Sequence, residues 1–225
     1  GVPGLVSGGV TQLNLVVGTI IASLQAGAVS YLYYADRLYQ LPLGIVGVAI
    51  GVVLLPDIAR NLRAGNHHSV MDNQNRSVEF ALILTLPAAA VLAVAAEPII
   101  RVLFERGAFK ASDTLPTAAA LAVFAIGLPA FVLIKVFQPA FFAREDTRTP
   151  MRYAVWNMVL NVVGSVALFF LFRALGLMPH VGIAIATTLS AWVNAYLLWS
   201  ALKSRNHFEA DDRLRRSVRL ISFAS

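Results

Sequence analysis

Apolar runs of about 17 residues or more recur along this chain, each long enough to cross a hydrocarbon core about 30 Å thick. Inside such a core every backbone N–H and C=O must be paired within the protein, which leaves helices and closed barrels as the spanning structures. A barrel would show segments of about ten residues alternating polar and apolar, and the runs here do not alternate. Composition agrees: 58% of the 225 residues are hydrophobic and 13% charged, with a mean hydropathy of +0.70. Soluble domains carry roughly 25% charged residues. The chain reads as an all-α, multi-pass integral membrane protein.

Six spans are predicted, at about 13–31, 38–59, 78–96, 117–137, 153–172 and 181–202, so that residues 1–202 form one six-helix lobe. A basic tail follows over 203–225 and closes on RLISFAS, the opening of another apolar segment. With Gly1 rather than Met at the start and no basic region before a short apolar one, the sequence reads as a piece of a longer protein without a visible signal peptide. Sorting Lys and Arg by loop puts 12 of the 18 on the side of the 60–76 stretch, the 144–152 loop and the tail. That side is expected to face the cytoplasm. The net charge of +6 follows from the same bias and calls for no nucleic-acid partner. Arg37 then lies toward the outer half of the membrane.

Several chemistries lack their residues. There is no cysteine, so no disulfide, thiolate nucleophile or Cys-based zinc site. Ser7 lacks the Gly-x-Ser-x-Gly elbow. No phosphate-binding Gly-x-x-x-x-Gly-Lys loop occurs, and His67 and His68 are adjacent rather than spaced as ligands on one helix face, with His180 and His207 isolated.

What remains is charge among apolar residues. Asp36 and Arg37 sit in YYADRLYQLP (Tyr33 to Pro42), between two apolar runs. An arginine within or near a bilayer is costly, so it either snorkels to the interface or faces a wet cavity, and its planar fork suits phosphate. Lys135 lies near the cytoplasmic end of its span, within snorkelling reach. Asn157 and Asn161, four apart, share a helix face, and Thr187 and Thr188 lie on the sixth span; interhelical hydrogen bonds or an ion site both use such residues. GVAIG, with Gly47 and Gly51, has the spacing for close helix packing. REDTRTP (Arg144 to Pro150) reads either as a solvated basic loop or as a latch to neighbouring loops.

These stretches resemble one family. YYADRLYQLPLGIVGVAIGVVLLPDIAR (Tyr33 to Arg60) is similar to the segment joining helices seven and eight of MurJ/MviN-type lipid II flippases. KVFQPAFFAREDTRTP (Lys135 to Pro150) resembles that family's loop between helices ten and eleven, and RVLFERGAFKASDT (Arg101 to Thr114) its outer loop after helix nine. The resemblance implies helices seven to twelve of a fourteen-helix transporter of the MOP exporter superfamily, the second of two lobes around a central cavity. It implies a bacterial cytoplasmic (inner) membrane protein with no covalent chemistry of its own.

The resemblance also implies roles. Arg37 corresponds to a cavity arginine needed for flipping, with partners on the missing N-terminal lobe; Asp36 belongs to the same motif and Ser30 matches a cavity-lining serine. Gln40 stands where some members carry an acid. Asn157, Asn161 and Thr188 correspond to a sodium site that some members form among the first, fifth and sixth spans. The implied substrate is lipid II, the undecaprenyl-pyrophosphate-linked peptidoglycan precursor, moved between leaflets among membrane lipids by alternating access, with no cofactor and with Na+ or the membrane potential as the drive. The alternatives are an exporter of another polyprenyl-linked oligosaccharide and an integral-membrane enzyme acting on a lipid phosphate.

Overall fold

The computed structural model describes residues 16–214 and 216–217 of the chain. Helical residues 16–22 (α1) are followed by α2 (Ala28–Arg63), α3 (His67–Val94), α4 (Ala96–Phe104), α5 (Ala111–Phe142), α6 (Arg148–Ala174) and α7 (Pro179–Ser204). Helices α2, α3, α5, α6 and α7 are each long and apolar enough to cross a membrane. The span expected at 13–31 begins outside the described residues, as do Arg215 and Arg219 of the tail.

The turn between the first two helices falls at residues 23–27, upstream of the YYADR patch where the sequence placed it. Gly27 opens α2 with φ at +80°, a left-handed conformation that a residue with a Cβ rarely adopts. From there α2 runs unbroken for 36 residues, so Asp36 and Arg37 lie inside a helix rather than between two. At 1.5 Å per residue it is about 54 Å long, well beyond a hydrocarbon core of about 30 Å. Its last turn carries Arg60 and Arg63, cations at the negative end of the helix dipole.

Helix α5 is the axis of the bundle. It packs against α2, α3, α4 and α7, while α6 rests almost entirely on α7. Its buried residues include Leu121, Phe124, Leu128, Val132, Val136 and Phe141, and they surround most of the helix. Asp113 in its first turn accepts the Lys110 backbone N–H at 2.9 Å and closes the helix start. Helix α3 starts on Asn66, whose side chain accepts the Ser69 N–H at 3.2 Å. The short α4 was hidden in a stretch that read as a polar loop. It buries Ala96 and Ile100 while leaving Val102 outside, and Phe104 and Phe109 close on Tyr34 of α2 at 4.9 and 5.3 Å between ring centroids.

Close helix contact occurs away from Gly44 and Gly47 of α2. A Cβ on Gly44 would meet nothing within 4 Å, and one on Gly47 only the Lys135 stem at 3.9 Å. Instead, a Cβ on Gly164 of α6 would come within 3.2 Å of Ala186, and one on Gly182 of α7 within 2.7 Å of the Leu168 carbonyl. One on Gly127 of α5 would reach Thr188 at 3.0 Å. Small residues therefore draw α6, α7 and α5 together and leave one side of α2 uncovered.

A Cβ at Gly27 would lie 2.6 Å from the Tyr31 hydroxyl, which itself donates to Asp113 Oδ1 at 3.1 Å. Gly27→Ala combines a left-handed backbone cost of about 1–2 kcal/mol with displacement of Tyr31. We expect it to lower the thermal unfolding midpoint of the full-length protein in detergent by several degrees. Gly44→Ala serves as the control and leaves the midpoint unchanged.

Candidate functional site

The uncovered side of α2 carries the residues of interest. Ser30, Tyr33, Arg37 and Gln40 are all exposed, and seven residues of helix bring Ser30 and Arg37 back to within about 20° of one another. The Arg37 guanidinium lies 4.7 Å from the centre of the Tyr33 ring, a cation–π contact that holds it flat against the helix. Its neighbour Asp36 is half-buried and receives the Gln40 side-chain amide one turn on. Among the described residues Arg37 forms no salt bridge, and its side chain is exposed.

The tyrosines around it divide the work. Tyr34 joins the Phe104 and Phe109 cluster, and Tyr39 is buried, stacked 5.3 Å from Phe131 and tilted against Phe124 at 5.1 Å, both of α5. These contacts fix which face of α2 turns inward. Further along, Lys135 of α5 is exposed with its stem against Gly47, ten residues or about 15 Å beyond Arg37 along α2. A second cation thus borders the same side of the helix, which a snorkelling argument from the sequence alone did not anticipate.

A polar cluster joins α6 to α7. Asn161 Oδ1 accepts the Thr187 hydroxyl at 3.1 Å and the Ser165 hydroxyl at 3.2 Å. Asn157, one turn earlier, has a buried Oδ1 with no hydrogen-bond partner. Thr188 is directed elsewhere: its hydroxyl donates to the Val123 carbonyl of α5 at 3.0 Å. The structure therefore groups Asn161 with Thr187 and Ser165, leaves Asn157 one turn away on the same helix, and uses Thr188 to tie α7 to α5.

A lipid II flippase MurJ family model matches residues 2–224. The chain belongs to the lipid II flippase MurJ family. It is 52% identical over 224 residues to a probable lipid II flippase MurJ from Rhizobium meliloti, covering 99% of this chain and 41% of that relative. Over 225 residues it is 32% identical to the lipid II flippase MurJ of Burkholderia cenocepacia, again covering 99% of this chain and 42% of the relative. The chain thus spans about two fifths of the length of these relatives. A solved structure described as lipid II flippase MurJ in an inward closed conformation superimposes with a TM-score of 0.77 at 28% identity, covering 95% of this chain and 44% of that one. An outward-facing multidrug transporter of the MATE family, in the MOP superfamily, gives a TM-score of 0.78 at 19% identity over 98% of this chain and 48% of its own, a likeness of fold. The fold is the one that these MurJ and MATE structures share, and five of the described helices are long and apolar enough to cross a membrane.

At the basic end the helices are tied by ion pairs. Asp146 accepts Arg205 Nη1 at 2.6 Å and the Thr149 N–H at 3.0 Å, and Arg205 also donates to the Thr149 hydroxyl at 3.1 Å. The REDTRTP loop is thereby latched to the end of α7. The tail continues across α3. Phe208 is buried against Phe137, Asn75 holds the Glu209 carbonyl and the Asp211 N–H at 2.8 and 3.2 Å, and Glu79 gathers Arg76, Arg213 and Ser217. The first contact matches the latch reading of REDTRTP, with Arg205 as the partner; the second was not visible in the sequence, because it joins segments far apart in the chain.

Burial pushes the Asp146 carboxyl up, but hydrogen bonds from the Thr149 side chain, Arg205 and the Thr149 backbone outweigh it and bring the pKa to about 2. His207 beside it is held below its usual value by burial and by the nearby Arg144, Arg205 and His67. Groups whose folded pKa is depressed stabilise above their unfolded pKa and lose that contribution as pH falls. His207 acts in this way below about 6.5, and Asp146 between about 4 and 2. Asp146→Asn should therefore cost up to about 1 kcal/mol at pH 7 and flatten the acid branch of a thermal-melt series below about pH 4.

Proposed function

We propose that this chain is one lobe of a lipid II flippase of the bacterial cytoplasmic membrane, and that Arg37 binds the pyrophosphate of the substrate. The observation that carries this reading is an exposed, unpaired guanidinium on a membrane-spanning helix of a chain in this family. A lone cation facing hydrocarbon would be destabilising by several kcal/mol, whereas one facing a wet cavity can replace water around a phosphate with charge-assisted hydrogen bonds. The Tyr33 ring beneath it restricts the guanidinium before substrate arrives, and Ser30 adds a hydroxyl on the same face. Asp36 accepts the Gln40 side-chain amide and forms no salt bridge with the arginine.

The basic end, with the Asp146 and Glu79 networks, faces the cytoplasm in this reading. The other lobe closes the cavity over the uncovered side of α2, and rocking of one lobe against the other carries the head group from the inner to the outer leaflet. The drive is a sodium gradient or the membrane potential. A sodium ion, which takes neutral oxygen ligands, fits the Asn157–Asn161 cluster, where Asn157 Oδ1 is the oxygen left without a partner.

The test is complementation of a flippase-depleted bacterium by the full-length protein. Arg37→Ala should abolish growth at normal membrane abundance, and Arg37→Lys should restore only part of it, because Lys keeps the charge but loses the two-pronged fork. Normal growth with Arg37→Ala would remove the phosphate-binding role. Equal growth with Arg37→Lys and wild type would make Arg37 an interfacial anchor instead.

A further inference from the structure

At the end of the bundle opposite the basic tail, the protonation of a buried histidine is fixed by its hydrogen bonds. The backbone N–H of His180 donates to Gln25 Oε1 at 2.9 Å, and this amide needs an oxygen, which sets the orientation of the Gln25 side chain. Gln25 Nε2 is then the atom 3.2 Å from His180 Nδ1. An amide nitrogen only donates, so Nδ1 is the unprotonated acceptor. The ring proton sits on Nε2 and donates to the Pro116 carbonyl at 2.9 Å. The ring is fully buried, and all of its polar atoms are satisfied only in this neutral form.

These bonds connect three elements: the turn before α2 through Gln25, the start of α5 through Pro116, and the start of α7 through His180. The Tyr31 ring of α2 packs 5.3 Å from the imidazole, and Arg37 follows six residues later on the same helix. The titratable groups turned toward His180 are Tyr31 and, behind it, Asp113 of α5. Asp113 is taken up by the Tyr31 hydroxyl and the Lys110 amide. From α6, Leu168 and Phe169 meet the adjacent Gly182. A proton added to Nδ1 would therefore face the Gln25 NH2 group, with no acceptor to receive it and a charge buried.

We infer that Gln25 and His180 are positioning residues: they form a pin that holds the start of α2, and with it the Arg37 face, against α5 and α7, and that acid on the outer side releases. The inference rests on the reading of Arg37 as the phosphate-binding group. Hydrogen–deuterium exchange on the full-length protein in lipid nanodiscs, corrected for intrinsic rates, tests the pin directly. Wild-type amides at 24–31 and 180–182 should exchange at least about tenfold faster at pH 5.0 than at pH 7.5. Gln25→Ala should show the fast pattern already at pH 7.5. His180→Gln, which keeps a donor toward Pro116 and does not titrate, should exchange alike at both pH values. In proteoliposomes carrying a fluorescent lipid II analogue, wild-type flipping should fall about tenfold at pH 5.0 while His180→Gln keeps its rate. Identical wild-type exchange at the two pH values, or the wild-type pH profile of flipping in His180→Gln, overturns the pin. Undiminished flipping by Arg37→Ala together with acid-released exchange would instead overturn the phosphate reading and leave the pin standing.

Discussion

A guanidinium placed nine residues into a long apolar helix must find an anion or water, and the rest of this structure is arranged around that requirement. Among the described residues no carboxylate forms a salt bridge with Arg37, although Asp36 beside it acts on the charge electrostatically. Its sequence neighbour Asp36 is turned to Gln40, and the Tyr33 ring supports the cation without discharging it. The charge is thus kept available on a face that the remaining helices do not cover. Such a face is stable only if it is wet or if another part of the protein lies over it. The chain spans about two fifths of the length of its relatives, which is the proportion one lobe of a two-lobed transporter would contribute.

Keeping one side of α2 uncovered requires the other side to be firmly held. Tyr39 packs on Phe131 and Phe124, Tyr34 packs on Phe104 and Phe109, and α5 runs through the middle of the bundle. The two ends are tied by different chemistry. Neutral hydrogen bonds through Gln25, His180 and Pro116 hold the end near Arg37. Charged networks through Asp146, Arg205 and Glu79 hold the basic end. A bundle tied at both ends can move as a body.

Much of this was legible in the sequence, because hydrophobic length is a local property. The long helices announce themselves, and Asp36 and Arg37 stand out as charges among apolar residues. What could not be read depends on contacts between distant segments. The first turn was placed at YYADR, since charge usually marks a loop, yet the helix begins at Gly27 and carries the charges on its open face. At nine residues α4 is too short to show a period. Gly47 belongs to a spacing that matches a packing motif, but it and Gly44 have no close neighbour, and close packing occurs at Gly164, Gly182 and Gly127, whose partners only the fold supplies. Thr187 and Thr188 differ by one position, about 100° of helix, and that decides which joins Asn161. His180 looked isolated because its partner Gln25 lies 155 residues away.

The central claim is that the open face of α2 meets water rather than lipid. It can be tested by placing single cysteines in the full-length protein, on a cysteine-free background, and treating membranes with a water-soluble, lipid-insoluble thiol reagent. Positions 30, 33 and 40 on α2 are compared with Val163 and Phe170, which are 61% and 49% exposed on α6. The account predicts rapid modification at the three α2 positions and none at the two on α6. Equal lack of modification at all five would mean that Arg37 lies against lipid, and would contradict it.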